Sequence, residues 1–212
     1  MADLKQLHDA IVNGNSKKAV AITQQAIAEQ MDPGELISST MIPAMAEVGR
    51  LFECEEYFVP ELLLSGRAMK GALDLLRPLL SASGAQSAGR VVIGTVKGDL
   101  HDIGKNLVVS MLEGGGFEVI DVGADVPPEK FIAALKDSNA RILALSALLT
   151  VTMPSMKTTI EALKAAGLRE KVKVMIGGAP VTQEFANEIG ADGYSENANS
   201  AVALARRLMA SV

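Results

Sequence analysis

Past residue 89 the apolar residues of this chain stop recurring every three or four positions. They gather instead into short β-branched runs separated by longer amphipathic segments. Runs at 90–95, 117–122, 141–147, 173–176 and around 193–194 predict strands, and the segments near 103–113, 128–137, 154–166, 181–188 and 198–210 predict helices. A crossover helix between successive strands forces them parallel, so the alternation predicts a doubly wound α/β sheet. Five strands favour the order 2-1-3-4-5, whose connections diverge between the first and third strands. Ligands of such sheets bind in the crevice at that point, outside the carboxyl ends of the strands.

Residues 4 to about 80 follow a different rule. Leu4, Leu7, Ile11 and Val12 form one helical stripe, and Val20, Thr23, Ile27 and Met31 form a second beyond the turn-like Asn13-Gly14-Asn15-Ser16. Asp32-Pro33-Gly34-Glu35 reads as a helix start, with Asp32 as cap, Pro33 in the first position and Glu35 closing a capping box. The helix it opens carries Ile37, Met41, Met45, Val48 and Phe52 on one stripe, and Pro43 within it predicts a kink. A fourth stripe, Val59, Leu62, Leu63, Gly66, Met69, Leu73, Leu76 and Leu80, is entered through Tyr57-Phe58-Val59-Pro60. Four helices with short connections predict a bundle over 1–81. Small residues without apolar period, Ser81 to Gly89, predict a linker at 82–88 ahead of a second domain at 89–212.

The first strand of that second domain runs into Gly98-Asp99-Leu100-His101-Asp102-Ile103-Gly104, a polar loop at the expected ligand edge. Asp99 stands two residues before His101, so a carboxylate can hold one imidazole nitrogen while the other meets a metal. Gly104 leaves the start of the next helix open to a bulky group. A string of this kind also occurs by chance. What singles this one out is that the chain has two histidines and only His101 falls at such an edge; His8 lies beside the first helix stripe. The third strand ends at Ser146 and the fourth at Gly177-Gly178, bringing both to the same edge, although Ser, Thr and Gly there also serve as ordinary caps and turns.

Composition narrows the partners. A net charge of -5 without a basic cluster gives no footprint for nucleic acid or for an anionic membrane surface, and no apolar stretch approaches the length of a membrane span. The single cysteine, Cys54, allows no intrachain disulfide, and the first residues show no export signal, so a soluble cytoplasmic protein is expected. With 49% hydrophobic residues but 3% aromatic ones, the core must be aliphatic.

The loop 98–106, then Ser146-Ala147-Leu148, then Gly177-Gly178, resemble in order the three signature elements of cobalamin-binding domains in methyltransferases. The chain as a whole is similar to the small corrinoid proteins of anaerobic methyltransferase systems, which serve methylamines, methanol and O-demethylation, and to the cobalamin module of methionine synthase. The resemblance implies a four-helix cap ahead of a flavodoxin-like, Rossmann-type domain that holds cobalamin or a related corrinoid. His101 would be the axial cobalt ligand. Gly98, Asp99, Asp102, Ile103, Gly104, Ser146, Leu148, Thr150, Thr152, Gly177 and Gly178 would contact the cofactor, with the bare backbone of Gly98, Gly177 and Gly178 running beside its nucleotide tail and Thr152 supplying the hydroxyl that bonds Asp99. By the same resemblance Phe52 and Val59 shelter the methyl group, although apolar residues at helix ends more often belong to a core.

The function so implied is that of a carrier without catalysis of its own. It accepts a methyl group on cob(I)alamin from a substrate-specific methyltransferase and presents methylcob(III)alamin to a second methyltransferase, which passes it to tetrahydrofolate or a thiol. A reductive activase would restore the cobalt. Two alternatives share the Asp-x-His-x-x-Gly element: the cobalamin subunit of a radical mutase, which has no need of this cap, and a cobalamin-dependent sensor, which requires an output module.

Overall fold

The computed structural model describes residues 2–83 and 88–211. The chain divides into two compact units, one of 1–87 with 113–116 and the other of 88–112 with 117–212.

In the first unit the helices α1 (Leu4–Val12) and α2 (Ser16–Ala28) are capped by the side chains of Asp3 and Asn15, which accept the N–H groups of Gln6 and Lys18. The carbonyl of Val12, at the end of α1, accepts the hydroxyls of Tyr57 and Ser65 at 3.2 and 2.8 Å. A helix-end carbonyl that would otherwise need water is thereby satisfied inside the bundle. On α2 the buried face is Ala19, Thr23 and Ala26, while Val20, Ile27 and Met31 of the expected stripe are half-buried. Small side chains let α2 approach the long helix α5 (Val59–Ser83) closely: a methyl added to Gly71 would stand 3.1 Å from Val20 Cγ2.

Between them runs one helical stretch, α3 (Pro33–Leu36), a π-helical turn at Ile37–Met41 and α4 (Ile42–Glu53). Asp32 caps it, accepting the Glu35 N–H at 2.7 Å, but the return bond of a capping box is not made. The expected kink at Pro43 takes the form of this π turn. Proline has no N–H for the usual bond, and the preceding Ile42 N–H reaches back to the Ile37 carbonyl, five residues away. Leu36, Met41, Met45 and Val48 face the core with Leu7, Ile11, Leu62, Met69 and Leu76. The helix α5 continues through Ala82 and Ser83, the first two positions of the expected linker, and 84–87 lie outside the described residues.

The second unit is a five-stranded parallel sheet in the order β2-β1-β3-β4-β5, with β1 at Arg90–Thr95, β2 at Glu118–Asp121, β3 at Ile142–Ser146, β4 at Lys173–Gly177 and β5 at Gly193–Ser195. The helices are α6 (Ile103–Gly114), α7 (Pro128–Ser138), α8 (Pro154–Ala165), α9 (Gln183–Ile189) and α10 (Ala198–Met209). Strand side chains alternate between two cores. Val92, Leu143, Leu145, Val174 and Ile176 meet Phe131, Leu135, Met156, Ile160 and Ile189 of α7, α8 and α9 on one face. Val91, Ile93, Ile142, Ala144 and Met175 meet Leu112 of α6 and Ala201, Leu204 and Leu208 of α10 on the other. Phe117, Val122, Arg141 and Ala147 fall just outside the strands expected to include them, because pairing stops one residue short at these ends. No helix among the described residues is long and apolar enough to cross a membrane.

Candidate functional site

The site is built at the carboxyl edge of the sheet, where β1 and β3 lie side by side and Thr95 is in register with Ser146. Beyond Val96 the chain turns through Gly98 at φ +88°, a left-handed conformation that glycine adopts without strain, and enters α6 at Ile103. The turn sends Asp99 inward, where it is completely buried, and leaves the His101 side chain 51% exposed.

A buried carboxylate needs donors, and Asp99 has five. Its Oδ1 accepts the His101 ring Nδ1 at 2.7 Å and the His101 N–H at 3.1 Å. Its Oδ2 accepts the Thr152 hydroxyl at 2.7 Å and the N–H groups of Leu148 and Leu149 at 2.8 and 3.2 Å. Burial pushes the carboxyl group upward. The bonds from Thr152, the Leu148 N–H, the His101 ring and the His101 N–H outweigh it and hold Asp99 well below the ordinary carboxylic range. An ionised carboxylate can only accept, so it fixes the tautomer of His101 with hydrogen on Nδ1. The lone pair of Nε2 then points away from Asp99, and this nitrogen has no hydrogen-bond partner among the described residues.

The two loops that meet at Asp99 also carry exposed aliphatic side chains. Leu100, Ile103 and Val151 are 77%, 74% and 80% exposed, and Leu148 and Leu149 are exposed beside them in the chain. Exposed aliphatic side chains concentrated on two loops of one sheet edge are the surface expected of a binding site awaiting an apolar group. A methyl added to Gly104 would meet nothing within 4 Å, so space stands open at the start of α6. An oriented imidazole whose Nε2 has no partner among the described residues, exposed aliphatic side chains on the two loops and an open helix start together fit a large, mostly apolar, metal-bearing cofactor, which His101 would hold through Nε2.

The other expected residues divide. Asp102 accepts the Asn106 side-chain amide at 3.2 Å, bracing the first turn of α6. The half-buried Ser146 makes no side-chain hydrogen bond among the described residues and is open to a ligand, and Thr150 is exposed. Gly177 and Gly178 have a structural reason of their own. At Gly178, with φ +134°, an added methyl would lie 1.9 Å from the Ala147 carbonyl oxygen, and at Gly177 it would lie 3.0 Å from that of Ser195. At both positions the chain's own backbone leaves no room for a β-carbon, a requirement of the fold that stands whatever lies beside the glycines. Phe52 is half-buried near the end of α4, and Val59 is exposed at the start of α5; both belong to the first unit.

Three side chains escaped the sequence reading. Asp125 accepts the Gly98 N–H at 2.7 Å, and buried Lys105 is paired with Asp121 at 2.5 Å. The signal for Lys105 was its place beside Gly104 in the motif; for Asp121 and Asp125 there was none, since carboxylates after a strand are ordinary turn formers.

Residues 89–203 match the family model described as a B12 binding domain, and residues 3–77 match a second model with that description. Over 208 residues the chain is 45% identical to the dimethylamine corrinoid protein 1 of Methanosarcina acetivorans, covering 98% of this chain and 97% of that one. Among solved structures, a cobalamin-binding protein from Desulfitobacterium hafniense superposes with a TM-score of 0.80 at 36% identity, covering 98% of this chain and 99% of that one. The methanol:cobalamin methyltransferase complex of Methanosarcina barkeri contains a chain that superposes at 0.85 with 32% identity, covering 99% and 80%. A B12-binding model that covers more than half of this chain, and a relative 45% identical along almost its whole length, settle the kinship: this chain belongs to the family of B12-binding corrinoid proteins.

Proposed function

We propose that this protein is a corrinoid methyl carrier, working between a methyltransferase that loads it and a second that unloads it to tetrahydrofolate or a thiol, with a reductive activase as a further partner. The observation that carries the reading is the Asp99-oriented imidazole, its Nε2 without a partner among the described residues, on loops that carry exposed aliphatic side chains. The relatives support it, since one is named as a dimethylamine corrinoid protein and another is part of a methanol:cobalamin methyltransferase complex. When bound, the corrinoid supplies a cobalt centre able to take up and give up a methyl group, which no side chain here can do.

The protein's own part is to bind, orient and hold a proton. His101 would hold the cobalt through Nε2, with Asp99 keeping the hydrogen on Nδ1 and fixing the orientation of the ring. Thr152 and the Leu148 and Leu149 N–H groups hold the Asp99 charge in place beneath the imidazole. Leu100, Ile103, Leu148, Leu149 and Val151 exclude water from the apolar faces of the ligand.

Reconstituted protein in the cob(II) state should show electron paramagnetic resonance coupling to a protein nitrogen, lost in His101→Ala. Methyl donor, its methyltransferase and the reduced holoprotein should together yield methylcobalamin. An unchanged spectrum in His101→Ala refutes the ligand assignment. Binding restricted to adenosylcobalamin, with a carbon-skeleton rearrangement as the supported reaction, refutes the carrier reading.

A further inference from the structure

Asp99 anchors the His101 loop to the β3–α8 connection, but the loop has a second set of anchors on its other side, in residues 121–126 between β2 and α7. Asp125 Oδ1 accepts the Gly98 N–H at 2.7 Å, and the Asp125 N–H is given to the Asp99 carbonyl at 2.9 Å. These two bonds grip the chain just ahead of His101. Behind it, the ammonium of Lys105, 3% exposed, donates to Asp121 Oδ2 at 2.5 Å and to Asn106 Oδ1 at 2.7 Å. Asp121 Oδ1 in turn accepts the Gly123 N–H at 2.9 Å, and the Gly123 carbonyl accepts the Thr95 N–H at 2.9 Å. The circuit closes at the Thr95 hydroxyl, which donates to the His101 carbonyl at 2.9 Å.

Gly98, Asp99 and the His101 carbonyl are thereby tied, directly or through Thr95, to Asp125 and Gly123, neither of which hydrogen-bonds the His101 ring. We propose that Asp125 and the Lys105–Asp121 pair are positioning residues for His101. They hold the 96–105 loop in the one shape that offers Nε2 to a metal, acting on ligation through the backbone and not by touching the cofactor. The Asp125 backbone has φ +53°, a left-handed conformation that asparagine and aspartate adopt more readily than other side chains. Its conformation and its acceptor are thus both required, and asparagine can supply both.

This inference rests on His101 being the ligand, and the experiment separates the two. The full chain is loaded with cobalamin and reduced to cob(II), and the fraction of cobalt coupled to a protein nitrogen is read by electron paramagnetic resonance, alongside cobalamin affinity by titration. Asp125→Ala and Lys105→Met should each lower the coupled fraction by about tenfold, the scale on which residues supporting a metal ligand act. Asp125→Asn should restore it. Asp125 is exposed, so Asp125→Ala does not threaten the core and decides the matter if Lys105→Met, which breaks a buried pair, fails to fold. Absence of nitrogen coupling in the parent protein, or its survival in His101→Ala, overturns the ligand reading. Coupling that is lost in His101→Ala but stays full in Asp125→Ala overturns the positioning role, as does an Asp125→Asn variant that loses as much as Asp125→Ala.

Discussion

Thr152 donates its hydroxyl to Asp99 Oδ2 at 2.7 Å across 53 positions of sequence, while the other oxygen of the same carboxylate holds the ring of His101. One buried charge thus joins the loop after β1 to the loop after β3, and the loops that carry the exposed aliphatic side chains are held by the group that orients the imidazole. Removing a donor from this charge should loosen both.

Thr152→Val tests that coupling. The valine has nearly the threonine shape but leaves Asp99 one bond short, and a hydrogen bond to a charged group contributes about 1.5–3 kcal/mol. Urea unfolding of the cofactor-free protein should report a loss of this size. Thr152→Ser, which keeps the donor, should lose less.

The same carboxylate gives an acid signature. Asp99 is depressed from its ordinary value of 3.8, so below that value the unfolded chain binds a proton that the folded one refuses, and stability falls with pH. Its contribution is full above about pH 5 and is lost progressively as pH drops toward the folded value. In Asp99→Asn that part of the slope should vanish. Denaturant midpoints of the two cofactor-free proteins, measured between about pH 6 and pH 3, should converge as acid is added.

Two glycines should respond in opposite ways. Gly178→Ala would drive a methyl into the Ala147 carbonyl oxygen at a left-handed position, and should destabilise the protein by about 2–4 kcal/mol whether or not cofactor is present. Gly104→Ala meets nothing and adds helix propensity in the first turn of α6, so the cofactor-free protein should gain about 0.5 kcal/mol. Cobalamin titration of this variant should nevertheless show weaker binding, because the added methyl stands in the space the ligand needs. Thermal melts and titrations measured on the two variants distinguish a glycine kept for the fold from one kept for a ligand.

A core truncation sets the scale for these effects. Phe131 on α7 is completely buried against the sheet, and Phe131→Ala should cost about 3–5 kcal/mol, read by denaturant unfolding.

What the sequence determined by itself was what local chemistry writes into short stretches. Short continuous apolar runs against stripes of period three to four marked strands from helices, and the alternation of the two required a parallel doubly wound sheet; β1 came out at its expected bounds because every residue from Val91 to Thr95 is buried, and a fully buried run has no ambiguous end. The nearness of Asp99 to His101 was legible for the same reason, since two residues of one loop cannot separate. Helix faces were less legible where packing was close: α2 buries Ala19, Thr23 and Ala26 in preference to its larger side chains, a choice made by how near α5 can come and not by hydrophobicity along α2. Pro43 announced a missing bond, but that the chain would meet it with a π turn depends on the partners found by the preceding residues. Only the tertiary structure could decide what surrounds a polar group. Which N–H groups join Thr152 on Asp99, how closely Gly178 packs on the Ala147 carbonyl, and that Asp125 and Asp121 bond the histidine loop and the helix after it are decided by contacts between segments far apart in sequence, where hydrogen bonds must be satisfied in three dimensions.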